Sequence, residues 1–423
     1  MKPHIARVAA LALLAATRAA PAGFVTTRGT SFELDGRPFR FAGANNYYLS
    51  YEDAGAVADV FARAAAHNFT VIRTWAFLDV GHPDGSESVG GGPKNGVWFR
   101  ALDPATMAVV LNESGLAHLD ATLAAAAAHG VRLILTLTNN WNDFGGVDQA
   151  LRWETLVDPT YTDARHDDFY TRPWQIATFN AYAAALAGRT NSVTGVKYRD
   201  DPTIFAWELI NEARCQGSGA YKSSNNCTLD YAKFNKTPVA FKIPPWVDAV
   251  STALRAVDPN HLIAVGDEGF LCDEYQAFPS MEGDCYVGTD FARQTALPNI
   301  DFASFHLYPD AWGHSGDAGW GNAWIANHTQ IANAIGKPVV LGEFGMKKAQ
   351  AATYASWAGE LLTGGTAGDI VWMLCGRQGA AWYPDYDGFC VYCANASDPA
   401  PPGGDPQACG VLAAHAAAMA AAR

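Results

Sequence analysis

The segment Asp200-Asp-Pro-Thr-Ile-Phe-Ala-Trp-Glu-Leu-Ile-Asn-Glu212 contains a short apolar strand, Ile204–Leu209, that runs directly into two polar residues, Asn211 and Glu212. The pattern recurs along the chain. Further apolar runs that read as strands are Phe39–Gly43, Val71–Trp75, Leu133–Thr138, Leu262–Val265, Phe302–His306, Val339–Gly342 and Ile370–Leu374, eight in all. Between them the sequence reads as helix over Ala54–His67, His118–Ala128, Pro173–Ala187, Trp246–Ala256, Gly321–Ile335 and Thr353–Leu362. Asn68 and Gly130 follow two of these segments, where a helix end takes a left-handed residue. Strand alternating with helix implies a parallel sheet. Eight such units imply a closed (β/α)8 TIM barrel, with an open doubly wound sheet as the alternative. Ahead of the first unit, Phe24–Phe39 reads as a β-hairpin turning at Asp35-Gly36.

The chain has 423 residues, 49% hydrophobic and 17% charged, enough apolar material for one large core. There is no internal repeat and no inter-domain linker. The Gly/Pro-rich stretches 81–96 and 399–406 read as a long loop and a surface segment, so residues 23–423 are taken as one catalytic domain. Residues 1–22 read as a secretory signal: Lys2 and Arg7 precede the apolar stretch Val8–Ala16, and Ala20-Pro21-Ala22 offers small residues for cleavage. That stretch is too short to span a bilayer. The Ala-rich tail Val411–Arg423 is likewise too short to do so.

Eight cysteines, at 215, 227, 272, 285, 375, 390, 393 and 409, suit disulfides in an oxidising compartment. Proximity favours Cys215–Cys227 and Cys272–Cys285, and leaves the last four open. Cys390-x-x-Cys393 lacks the second ligand pair of a zinc site, so it reads as structural. Six Asn-x-Ser/Thr sequons begin at Asn68, Asn112, Asn226, Asn235, Asn327 and Asn395. Together these features point to a secreted, extracellular protein. The formal charge of −13 repels polyanions, so neither nucleic acid nor an anionic membrane is expected as a partner. No metal cluster or nucleotide motif implies a cofactor. Nothing in the sequence sets an oligomeric state.

In a barrel, residues at the C-terminal ends of strands face the functional mouth. These positions hold Asn45 and Asn46, then Arg73 and Trp75, then Asn139, Asn140 and Trp141, then Asn211 and Glu212. Glu268, His306, Tyr308, Glu343 and Trp372 complete the circuit. Trp and Tyr offer flat apolar faces with a polar handle, suited to stacking against sugar rings. Core packing explains such rings equally well, and a satisfied core histidine explains His306.

The two glutamates carry the chemistry. Cleaving a glycosidic bond needs one carboxylic acid to protonate the leaving oxygen and a second carboxylate at the anomeric carbon. A carboxyl spacing of about 5 Å implies retention of configuration, and about 6.5–9.5 Å implies inversion. Arg73, and Tyr308 if within reach, are expected to favour the ionised form of Glu343, making it the nucleophile. Glu212 faces that charge in a partly dry cleft. It is expected to start protonated and to act as acid/base. Asn211 is expected to donate to the sugar 2-hydroxyl.

At these residues the sequence resembles the endo-β-1,4-mannanases of glycoside hydrolase family 5, closest to the plant and fungal branch. The resemblance rests on Phe41-Ala-Gly-Ala-Asn-Asn-Tyr-Tyr-Leu49, Val71-Ile-Arg-Thr-Trp-Ala-Phe77, Thr138-Asn-Asn-Trp-Asn-Asp-Phe-Gly-Gly146, Phe305-His-Leu-Tyr-Pro309 and Gly342-Glu-Phe-Gly345, with the Trp-Glu-Leu-x-Asn-Glu context of Glu212. It implies Glu212 as acid/base and Glu343 as nucleophile. It also implies substrate-binding positions at Arg73, Trp75, Asn211, His306, Tyr308 and Trp372, with Arg214 at a leaving-group subsite and Trp141 and Glu268 as further sugar contacts. The family motif continues Asn-Glu-Pro-Arg, whereas Ala213 stands at the proline position here; the loss of a fixed φ is expected to loosen the loop slightly. The resemblance thus implies retaining endo-hydrolysis of mannan, glucomannan or galactomannan. An endo-β-1,4-glucanase on the same barrel, a mannan transglycosylase and a non-enzymatic carbohydrate-binding protein are the alternatives.

Overall fold

Every apolar run of the sequence pattern forms a strand of one sheet. The computed structural model describes residues 23–215, 221–223, 242–271 and 287–422. The leader 1–22, Cys227, Cys272, Cys285, Asn226 and Asn235 lie outside the described residues. The strands are β1 (Phe41–Asn45), β2 (Val71–Trp75), β3 (Arg132–Thr136), β4 (Ile204–Glu208), β5 (Leu262–Ala264), β6 (Ala303–Leu307), β7 (Val339–Phe344) and β8 (Gly368–Val371). All seven laddered pairings are parallel, in the order β5-β4-β3-β2-β1-β8-β7-β6. β5 and β6 close the barrel differently. Asp301 N–H donates to the Ile263 carbonyl at 2.8 Å, the Asp301 carboxylate accepts Ile263 N–H at 2.7 Å, and His306 N–H donates to the Glu268 carbonyl at 3.1 Å.

Helices wrap the outside, and their ends are set by local chemistry. Asp53 caps Ala54–Ala66 by accepting from Gly55 N–H and Ala56 N–H, and Asn112 caps Glu113–Ala128 through Ser114 N–H. Asn68 and Gly130 have φ of +63° and +69°, as their places after helices require.

Among the described residues, three α-helices escaped the sequence reading: Gly146–Val157, Phe291–Thr295 and Ala408–Ala421. The last is the tail that reads only as Ala-rich in sequence. It is the helix after β8, and His415 ties it to that strand through Asp369 at 2.8 Å. No helix among the described residues is long and apolar enough to cross a membrane.

The N-terminal strands Val25–Arg28, Ser31–Leu34 and Arg37–Phe39 form a small antiparallel sheet. Asp35 and Gly36 both have positive φ, which the tight turn between the last two strands requires. This sheet closes the N-terminal end of the barrel. Phe32 is fully buried, edge-on to Phe205 and Phe302 at 5.2 and 5.4 Å, in one apolar cluster with Phe41, Val71, Ile134 and Val340. The opposite end is left for function.

Between β8 and the last helix the chain makes a long excursion, residues 376–407, bracketed by the disulfides Cys375–Cys390 and Cys393–Cys409. The four cysteines left open by the sequence are thereby paired, and Cys390 and Cys393 take different partners. Cys215 is disulfide-bonded as well.

Candidate active site

β4 delivers three functional side chains. Glu208 ends the strand and points into the barrel, and Asn211 and Glu212 follow it. Backbone bonds hold this turn to both neighbours: Asn211 N–H donates to the Thr138 carbonyl at 2.9 Å and Glu212 N–H to the Gly266 carbonyl at 2.8 Å. Glu212 has a φ of +54°. A non-glycine residue persists in this conformation only where its surroundings hold it, and such residues cluster at functional sites. One residue further, Ala213 is buried. Arg214 N–H donates to Asn140 Oδ1 at 3.0 Å and Cys215 N–H to the Val287 carbonyl at 2.9 Å. These bonds restrain the loop at the point where the missing proline is expected to loosen it.

Arg73, on β2, is the hub below the two glutamates. Nε donates to Glu208 at 2.9 Å, Nη1 to Asn45 Oδ1 at 3.0 Å and to Glu343 Oε1 at 2.5 Å, and Nη2 to Glu208 Oε1 and Asn211 Oδ1, each at 2.6 Å. All five donors of the guanidinium are engaged. Burial would lower its pKa, but the carboxylates of Glu208 and Glu343 raise it above the ordinary value. Glu208 is held in turn by the Thr136 hydroxyl at 2.9 Å. Sequence reasoning missed Glu208 as a site residue because it sits inside an apolar run. A lone carboxylate at a fully apolar strand's end is the signal that would have found it.

Glu343, on β7, also receives the Tyr308 hydroxyl on Oε2 at 2.6 Å. Glu212 receives Trp141 Nε1–H on Oε2 at 2.5 Å and bonds His306 Nδ1 through Oε1 at 2.7 Å. An oxygen of Glu212, an oxygen of Glu343 and a His306 nitrogen all lie within 4.8 Å of one another. The two carboxyls therefore face each other with different partners. Glu343 has a guanidinium and a phenol, and Glu212 has an indole N–H and an imidazole.

Burial sets the net direction for both glutamates: each is raised above the ordinary carboxylate range. For Glu343, His306, Arg73 and the Tyr308 hydroxyl oppose that rise. For Glu212 the Trp141 hydrogen bond and the charges of Arg214 and Arg73 oppose it. The expected stabilisation of ionised Glu343 by Arg73 and Tyr308 is present in direction, but burial outweighs it. Burial likewise lowers His306, which favours the neutral imidazole.

The mouth opens into a cleft of about 1320 Å³. Trp75, Trp141, Asn211, Arg214, Glu268, Tyr308 and Trp372 all line it, whereas His306 and Arg73 sit beneath its surface. Arg214 pairs with Glu268 through two bonds of 2.5 and 2.7 Å, and its guanidinium lies 5.2 Å from the Trp141 ring. Trp372 donates Nε1–H to Asp387 at 2.8 Å and stacks on Tyr47 at 5.9 Å. Asn211 spends one amide hydrogen on Asn139, at 3.0 Å, which leaves the other for a ligand in the cleft. Much of the outer wall comes from residues with no strand-end signal in the sequence, among them Tyr51, Phe144, Trp312, Tyr383 and Phe389.

A parallel barrel with facing glutamates at the ends of β4 and β7 defines a glycoside hydrolase, and the comparisons agree. Residues 22–361 match the family model described as "GH family 5 beta-mannosidase-like", and the chain belongs to that family. It is 32% identical over 380 residues to a probable mannan endo-1,4-beta-mannosidase A of Aspergillus flavus, covering 88% of this chain and 85% of the relative. It is 33% identical over 377 residues to a mannan endo-1,4-beta-mannosidase F of Aspergillus fumigatus, covering 87% and 74%. Among solved structures, the endo-1,4-beta-mannanase of Rhizomucor miehei superposes with a TM-score of 0.79 at 33% identity, covering 94% of this chain and 99% of that one.

Proposed function

We propose that the protein is a secreted enzyme that hydrolyses internal β-1,4-mannosidic linkages of mannan, glucomannan or galactomannan with retention of configuration. The observation that carries the mechanism is the approach of a Glu212 oxygen and a Glu343 oxygen to within 4.8 Å. This suits the short carboxyl spacing of retaining enzymes rather than the wider gap of about 6.5–9.5 Å that admits a water for inversion. The family and the names of the relatives support the substrate, and a cleft of about 1320 Å³ has room for more than one sugar ring.

In the first step a Glu343 oxygen attacks the anomeric carbon while Glu212 gives its proton to the glycosidic oxygen, and the leaving chain departs as an alcohol. Arg73 and the Tyr308 hydroxyl offset part of the burial that raises Glu343 and so favour the carboxylate that attacks. In the second step Glu212, now ionised, takes a proton from water as the water oxygen attacks the same carbon and frees Glu343. Asn211 is the donor for the 2-hydroxyl, where hydrogen bonds strengthen in the transition state.

Two disulfides support export. Asn68 and Asn395 are exposed, whereas the Asn327 amide nitrogen is buried and the Asn112 amide is bonded to the Trp98 carbonyl. The first pair are the better glycan acceptors.

The test is the product pattern and anomeric configuration from a defined manno-oligosaccharide, followed by NMR. Initial products of β configuration are expected. α Products overturn retention, strong activity on glucan alone overturns the substrate, and products longer than the starting chain make transglycosylation the main activity.

A further inference from the structure

The excursion 376–407 lies beyond the residues matched by the family model, and it builds part of the cleft wall. Its inner half is locked in place. Tyr383 stacks on Tyr48 with ring centroids 3.8 Å apart, and its hydroxyl sits between those of Tyr47 and Tyr51 at 3.1 and 3.0 Å. Tyr386 differs. It lines the same cleft but is 75% exposed, the only exposed large aromatic among the described residues. Its ring contact is with Tyr383, edge-on at 5.7 Å and 81°. Its hydroxyl has no hydrogen-bond partner among the described residues. A large exposed ring on a cleft wall offers a ligand a flat apolar face with a polar handle.

The wall is continuous with the catalytic centre. Trp372 stacks on Tyr47 at 5.9 Å and 21°, Tyr47 meets Tyr383 at 6.2 Å, and Tyr383 meets Tyr386. The path leads away from Glu212, whose flank is occupied by Trp141, Arg214 and Glu268. The leaving end of the substrate departs on the flank of the proton donor, so the Tyr386 path is the glycone side. Gln378 and Asn95 line the same cleft and add amide groups suited to hydroxyls.

We propose that Tyr386 forms an outer glycone subsite, stacking one further mannosyl ring of a β-1,4-mannan chain beyond the ring expected at Trp372. This rests on the mannan-hydrolase reading above.

The test compares the wild-type enzyme with Tyr386→Ala, Tyr386→Phe and Tyr386→Trp on manno-oligosaccharides of increasing length. In Tyr386→Ala, KM is expected to rise about 2- to 10-fold on the longest oligomers, the size of one aromatic face contact. The KM on the shortest cleaved oligomer and the kcat stay unchanged, and the preferred cut moves along the chain. Tyr386→Phe and Tyr386→Trp keep the wild-type length dependence, because a flat face and not the hydroxyl does the binding. An unchanged KM on long oligomers, or an equal rise at every length, overturns the subsite. A wild-type enzyme that cleaves glucan but no manno-oligosaccharide overturns the substrate reading, and this subsite with it.

Discussion

The two ends of the barrel solve opposite problems with the same eight strands. At the N-terminal end, Phe32 from the small sheet drops among Phe41, Phe205 and Phe302, and the strands present Val71, Ile134 and Val340 to it. The cluster is apolar, with the Arg132 guanidinium only at its edge over Phe39, and its contribution is removal of apolar surface from water. At the C-terminal end the strands present Asn45, Arg73, Glu208, His306 and Glu343, all buried. Here burial raises the pKa of Glu212 and Glu343 and lowers that of His306, and Arg73, Tyr308 and Trp141 offset part of the desolvation of the two glutamates. One end is arranged for stability, the other for chemistry that a stable apolar end can carry.

The sharpest way to break this division is Glu343→Ala. Removing the nucleophile closes the covalent route, so kcat should fall about 10⁴-fold or more while circular dichroism still shows a folded barrel. Near-normal turnover would remove Glu343 from its role. The counterpart is Phe32→Ala, expected to cost about 3–5 kcal/mol of stability, read by urea unfolding, with kcat on the remaining folded enzyme nearly unchanged. If instead Phe32→Ala abolished turnover without changing stability, the separation of the two ends would fail.

A finer contrast concerns pH. Asp267, buried just after β5 and outside the cleft lining, is pushed up to about 7 by burial, against hydrogen bonds from Gly269 N–H and Thr289. A carboxyl with a raised folded pKa binds its proton more tightly folded than unfolded. It therefore stabilises the fold below its unfolded value, and that contribution is lost as pH rises through about 7. The unfolding temperature should fall between pH 5 and pH 8, and Asp267→Asn should flatten the slope. An identical slope in that variant would show that Asp267 does not govern it.

The smallest effect sharpens the roles within the mouth. The Trp141 N–H bond lowers the pKa of Glu212, so Trp141→Phe should raise it and move the alkaline limb of kcat/KM to higher pH. A limb that stays in place would separate Glu212 from the alkaline transition.

The fold was legible wherever periodicity carried it. All eight barrel strands follow from apolar runs such as Val71–Trp75 and Val339–Gly342, and Asp35-Gly36 announced its turn. The Ala408–Ala421 helix was not legible, because an almost uniformly small, apolar helix has no polar face to mark its period. Closure was expected from the eight units, but its form between β5 and β6 was not legible, since it uses two backbone bonds and the Asp301 side chain rather than a ladder. Within the site, Asn211, Glu212 and His306 stand at strand ends where a barrel rule points to them. Tyr383 and Tyr386 stand on a segment whose place above the mouth depends on Cys375–Cys390 and Cys393–Cys409, pairings that spacing alone left open. The pKa of Glu343 taught a different lesson: its partners were readable from the sequence, but the weight of burial against them was not.

The saturated guanidinium of Arg73 has a consequence for the whole reaction cycle. In the proposed double displacement, Arg73 sits beside Glu208 and the attacking carboxylate of Glu343, while Glu212 starts protonated. Once the sugar is esterified to Glu343, that charge is gone, but Glu212 has become a carboxylate in its place. The dry centre thus keeps the same total charge throughout and only relocates one unit of it between oxygens within 4.8 Å. Changing the net charge of a buried group is costly. A cycle that conserves it can run on a rigid scaffold, with the leaving chain and the attacking water exchanged but no counter-ion needed at either step.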